Sequence, residues 1–195
     1  MAITQEVAHK VIANSLELAR GIKEQVMEEA DNPITGIHPM LVIGYGETIE
    51  DGGGIVELEM SNGSNPAEVL PAVLSDLQKD GHLEKWAWIG LIVEAFIDKR
   101  IGVDENYERG DAEKEYKENP FSTVKETMVV NIFTYDFQQF GAFQTFALDD
   151  FGKPVYQEVE FQDEGAGSEG LIPFVFRSFT EWCHIQEIKK QADSN

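Results

Sequence analysis

The run Trp86-Ala87-Trp88-Ile89-Gly90-Leu91-Ile92-Val93 is the longest apolar stretch in the chain, and Glu94 closes it. It falls far short of the roughly 20 residues needed to cross a bilayer. Extended to Ile97, it carries bulky side chains at both odd and even positions, which predicts a central strand covered on both faces. A chain built around such a strand must supply a layer above it and another below it.

The flanking segments supply candidates for those layers. From Thr4 to about Ala30, Val7, Val11, Ile12, Leu16, Ala19, Ile22, Val26 and Met27 recur at steps of mostly three and four, the stripe of an amphipathic helix that Pro33 and Gly36 end. Met40 to Tyr45 reads as a buried strand and Gly54 to Met60 as an alternating one, joined by the glycine-rich connection GETIEDGGG. Asn65-Pro66 with Glu68 starts a second helix, and Gly81 stops it. Thr127–Tyr135, Ala142–Leu148 and Pro154–Phe161 predict an antiparallel series with a turn at Asp149-Asp150-Phe151-Gly152. A last helix is expected over Leu171–Lys190, with Val175, Phe179, Trp182 and Ile185 or Ile188 as its apolar stripe. Residues 98–120 hold thirteen charged side chains in 23 and predict an exposed insertion. The fold class is therefore α+β: one domain over residues 1–195, a mainly antiparallel sheet of five to six strands, and N-terminal, middle and C-terminal helices. Its order is α-β-β-α-β-(insertion)-β-β-β-α, with no repeating βαβ series.

Charge is the second constraint. Of the net −21, residues 24–78 contribute eleven acids and no Lys or Arg, and residues 126–176 contribute nine acids against Lys153. Such a chain is badly suited to gripping phosphate backbones or anionic lipid, so neither direct nucleic-acid binding nor membrane association is expected. The lone Cys183 allows no internal disulfide, and MAITQEVAHK has no secretory pattern, so a cytoplasmic protein is expected. Glu28, Glu29 and Asp31 crowd the C-terminal end of the first helix, where the macrodipole disfavours anions.

No motif reaches a catalytic signature. His9, His38, His82 and His184 form no HxH, HExxH or Cys/His set. Cys183 and His184 are adjacent on a helix and point about 100° apart. Gly44-Tyr45-Gly46 lacks the third glycine of a phosphate loop, and Glu47, Glu50 and Asp51 would repel phosphate. Asp104, Asn106, Glu108 and Glu115 match calcium-loop positions, but Gly110 falls one place late. Phe137, Phe140, Phe143 and Phe146 lack the cations of a base-stacking platform and read as packing residues. No metal or cofactor is expected, and the reading leans away from an enzyme.

Trp88 through Glu94-Ala95-Phe96, a polar insertion, Pro120-Phe121-Ser122, and Glu126-Thr127-Met128-Val129-Val130-Asn131-Ile132 followed by Asp136 together resemble a group of small uncharacterised phage and bacterial proteins. The likeness covers about a quarter of the chain, and the basic and histidine residues of that group's Pro-Ser segment are absent. It implies a phage or bacterial accessory protein and brings no activity with it.

The leading expectation is a non-enzymatic accessory protein whose acidic face binds a basic protein surface. That face is expected to comprise Glu47, Glu50, Asp51, Glu57, Glu59, Glu158, Glu160, Asp163 and Glu164, which requires the two acidic blocks to converge. One alternative is a small-molecule or metal-binding domain, hydrolytic in its sharpest form, at the glycine-rich hairpin with His38, Glu47 and Asp51. Another is charge that serves solubility alone. Homo-oligomerisation is left open.

Overall fold

The computed structural model describes residues 3–29, 36–46, 53–58, 66–81, 86–97, 109–119, 121–134, 138–162, 177–181, 184–185, 188–189 and 191–192. It is α+β. In chain order the elements are α1 (Gln5–Glu29), β1 (Met40–Gly44), β2 (Gly53–Glu57), α2 (Pro66–Lys79), β3 (Trp88–Ile97), α3 (Arg109–Glu118), β4 (Lys125–Thr134), β5 (Gln139–Leu148), β6 (Pro154–Tyr156) and β7 (Glu160–Gln162). All strand pairs are antiparallel, in the order β2-β1-β3-β4-β5-β6, with β7 also on β5.

The eight-residue apolar run sits at the centre of this sheet, as its two-faced bulk requires. Trp88 and Ile92 point into the core beneath α1, with Met40, Val42, Met128, Val130, Ile132 and Phe146. Ile89, Leu91 and Val93 point to the other face, where Leu74 and Leu77 of α2 and Phe179 of the C-terminal helical segment cover them. The indole of Trp88 is fully buried and donates from Nε1 to Gly46 O at 2.9 Å. Its cross-strand partner is Gly44, whose missing side chain leaves the space the indole fills.

Local chemistry sets the element ends. Thr4 Oγ1 accepts from Val7 N at the start of α1. Beyond α2, Gly81 takes φ +79 and donates to Gln78 O. In the β5–β6 turn Asp149 Oδ1 accepts from both Phe151 N and Lys153 N at 2.8 Å, and Gly152 takes φ +76.

Four features differ from the sequence expectations. The charged segment 98–120 contains α3, which docks on the sheet by burying Ala112 and setting Tyr116 against Phe96 with ring centroids 5.1 Å apart. The expected strand Pro154–Phe161 is two strands. Three steps along β5, Phe143 to Phe146, face four steps along the partner, Glu160 back to Tyr156, so one extra residue makes a bulge. In α1 the buried stripe includes Ala8, Ser15 and Lys23, and Val26 and Met27 are only half-buried. Ile185 and Ile188 are exposed, leaving Phe179 as the buried anchor of the last helix among the described residues.

Candidate functional site

Strand order decides where the acids can meet. Glu57 lies on β2, one edge of the sheet, while Glu158 and Glu160 flank and begin β7 at the other edge. Five strand spacings separate β2 from β6, about 24 Å. Glu57 therefore does not join Glu158 and Glu160 in one patch: β1, β3, β4 and β5 lie between the two edge strands and hold them apart. Glu47, Glu50, Asp51, Glu59, Asp163 and Glu164 lie outside the described residues. Of the hairpin alternative, His38 is described and is exposed on the approach to β1.

A different part of the first block does reach the second. On α1, positions 17, 20, 24 and 28 follow one flank. Arg20 on that flank lies over the ring of Tyr156 of β6, 5.6 Å from its centroid. The Glu24 carboxylate acts on the same phenol, raising its pKa together with the dominant effect of burial. Further along the helix, His9 stacks on Phe161 of β7 at 4.3 Å. Thus α1 runs beside the β6–β7 edge. The bulge sets the orientation there: Tyr156 and Val159 turn toward α1, and Glu158 and Glu160 stay exposed. Exposed Glu17, Glu24 and Glu28 lie on the α1 side of this edge, while exposed Glu158 and Glu160 alternate with Val159 and Phe161 and turn to the opposite face of the sheet, so the acidic rim follows the edge on both sides. The unfavourable acids at the end of α1 were the sequence signal for it, but only the strand order pairs them with β6 and β7.

Beneath the rim lies a charge cluster that the sequence reading missed. Lys23, 0% exposed, sends its ammonium to Glu94 Oε1 at 2.8 Å and Glu126 Oε1 at 3.2 Å. Glu94 comes from β3 and Glu126 from β4, on the same face of the sheet. Ile37 N donates to Glu94 Oε2 at 2.9 Å, and the adjacent Gly36 packs its backbone against that carboxylate. Both carboxyl groups accept from Lys23, which brings them close enough for a proton on one to form a hydrogen bond to the other. Burial, reinforced by that bond, pushes Glu94 up to about 7 against the opposing pull of Lys23 and the Ile37 amide. Tyr116 of α3 hydrogen-bonds to Glu126; burial first, then the Glu126 charge, pushes its phenol up to about 12. Two carboxylates and one ammonium would leave a net negative charge inside the protein, and a proton held between the carboxyls removes it. Lys23 also stands 5.4 Å from the Phe146 ring. The available signal was phase: Lys23 follows Leu16 and Ala19 by seven and four positions, and Glu94 continues the Trp88-Gly90-Ile92 face.

The cluster joins α1, the 36–37 segment, β3, β4 and α3. Its groups are already bonded to one another, an arrangement suited to holding elements together rather than to turning over a substrate. Among the described residues no three His, Cys, Asp or Glu side chains gather to hold a metal, and no helix is long and apolar enough to cross a membrane. Compared with known proteins, the chain matches no family model, no curated protein and no solved structure.

Proposed function

We propose that this chain is a non-enzymatic accessory protein, of a kind phages or bacteria encode, that binds a basic protein surface through the acidic rim of α1 and the β6–β7 edge. The observation that supports the reading is the seating of Arg20 of α1 over the Tyr156 ring of β6, 5.6 Å from its centroid, which sets the helix and its exposed acids beside the edge that carries Glu158 and Glu160. Glu17, Glu24, Glu28, Glu158 and Glu160 are all exposed, so they remain hydrated until a partner arrives. Such charges steer encounter and fix orientation more than they add raw affinity.

The test uses a basic probe protein, lysozyme, and follows binding by fluorescence anisotropy across salt. Affinity should fall steeply between about 0.05 and 0.5 M salt, as the screening length contracts below ~5 Å. Reversing Glu24, Glu158 and Glu160 to Lys should weaken binding at least ~10-fold, roughly 1.4 kcal/mol. Glu57→Lys, at the opposite edge, serves as the control. Salt-insensitive binding, or an equal loss in the Glu57 variant, would overturn the assignment of the rim.

A further inference from the structure

The two most exposed large apolar side chains among the described residues are Phe121, 91% exposed, and Phe151, 89% exposed. They lie beyond the same end of the sheet. Phe121 precedes β4 by a few residues, Phe151 follows β5, and these strands pair with Glu126 opposite Phe146. Adjacent strands run about 5 Å apart, so both rings leave neighbouring positions. Neither sits on a loose tip. Phe121 N donates to Asn119 Oδ1 at 3.0 Å, Ser122 N to Asn119 O at 3.0 Å, and Ser122 Oγ to Glu115 at 3.2 Å. Phe151 is held by the Asp149 side chain and by the Asp149–Lys153 backbone pairing. A ring that a fixed turn holds in water loses little freedom when a partner covers it.

We propose that this end of the sheet binds a second copy of the chain, with Phe121 and Phe151 of each copy packing across a twofold axis. Local charge selects this occupant. Among the described residues at this end, Lys117, Glu118, Lys125, Asp149, Asp150 and Lys153 are exposed and balance one another, in a chain of net −21. A basic partner gains nothing from a balanced surface and is drawn to the rim instead. Two copies repel least where their facing surfaces are neutral, and a twofold contact lets the lysines of one meet the aspartates of the other. Four phenyl rings cover roughly 600–700 Å² in total. Even with their surroundings, this lies at the low end of specific interfaces, so the dimer is weak, in the micromolar range.

The association is read by sedimentation velocity at about 100 µM protein, where a micromolar dimer is well populated. Its fraction should rise with salt, because screening removes the repulsion between two acidic chains and leaves the aromatic contact intact. A basic partner on the rim responds to salt in the opposite direction, so either association can fail without the other. The double variant Phe121→Ser, Phe151→Ser should weaken the dimer at least ~10-fold. Its melting temperature should stay within about 2 °C of the parent, since both rings lie outside the core. The single Phe151→Ser variant should fall between. A chain that stays monomeric at every salt concentration, or a dimer that the double substitution leaves unchanged, would overturn the proposal.

Discussion

Replacing Glu94 with Gln should make this protein's stability less dependent on pH between about 4.5 and 8, to its advantage at the upper end. The Glu94 carboxyl is raised from 4.5 to about 7, chiefly by burial and then by its hydrogen bond to Glu126. In the unfolded chain it returns to the ordinary carboxylate range, so between those two pH values the folded state holds a proton that the unfolded state has lost. Stability from this group is therefore fully present below about pH 4.5, declines as pH rises, and is gone once pH passes about 7. At roughly 1.4 kcal/mol per pH unit, the interval corresponds to about 3 kcal/mol. The Glu94 side chain is 8% exposed, so little solvent screening reduces that figure. Glutamine keeps the neutral charge of the protonated form, and its NH₂ can donate to Glu126, but its single carbonyl oxygen accepts from Lys23 or from Ile37 N and not from both, a loss that is the same at every pH. Measured against the parent, the isosteric variant should gain up to about 3 kcal/mol in stability between pH 4.5 and pH 8. For a chain of this size that is about 6–12 °C in melting temperature. Urea unfolding followed by tryptophan fluorescence at both pH values measures the difference directly. Other carboxylates and the overall negative charge also make stability depend on pH, but they are common to both proteins and cancel in the comparison. If the variant were less stable than the parent by the same amount at both pH values, the shared proton would not exist and the cluster would be an ordinary ion pair.

Two further substitutions probe the same architecture. Lys23→Met removes the cation from two buried carboxyl groups and should cost about 3–5 kcal/mol near pH 8. The loss should be smaller near pH 4.5, where more of the cluster is protonated, as urea unfolding at the two pH values would show. Gly44→Ala would place a methyl group within the Trp88 indole, and relieving the overlap requires β1 or β3 to move. It should cost about 3 kcal/mol, with a red-shifted tryptophan emission in the native state.

The elements that periodicity could reveal were legible. The stripe over Val11, Ile12, Leu16 and Ala19 gave α1, the two-faced bulk of Trp88–Val93 gave the central strand, and Asp149-Asp150-Phe151-Gly152 gave the turn. Elements that depend on a partner were not. α3 buries Ala112 and half-buries Tyr116 amid charged neighbours, too little apolar surface to read as a stripe; its docking depends on Phe96 and Glu126, contacts outside its own sequence. The β6–β7 bulge is a relation between two strands, and Val155 to Phe161 alone carries no sign of the extra residue. The grouping of the acids was hidden for the same reason. Segregated charge was visible, but which acids share an edge depends on strand order. That order sends Glu57 to one side of the molecule and Glu158 and Glu160 to the other. Lys23 and Glu94 stood in buried phases of their elements, and their identity as charges hid them.

The buried cluster and the rim are linked through the cations of α1. That helix has three: Lys10, Arg20 and Lys23. Lys23 is turned wholly inward to Glu94 and Glu126. Arg20 donates to Leu16 O of its own helix and lies on Tyr156, half-buried on the same flank as Glu17, Glu24 and Glu28. Two of the three positive charges are thus held against the sheet, where they steady the packing of α1, while the helix's acids point outward. A helix with Lys23 on its surface would set that cation near Glu24 and weaken the rim's field at close range. Burying the lysine requires carboxyl partners inside, and a second carboxyl inside requires a shared proton. The raised Glu94 is therefore the counterpart of the exposed acids along the edge: the same arrangement that makes the interior sensitive to pH keeps the surface negative.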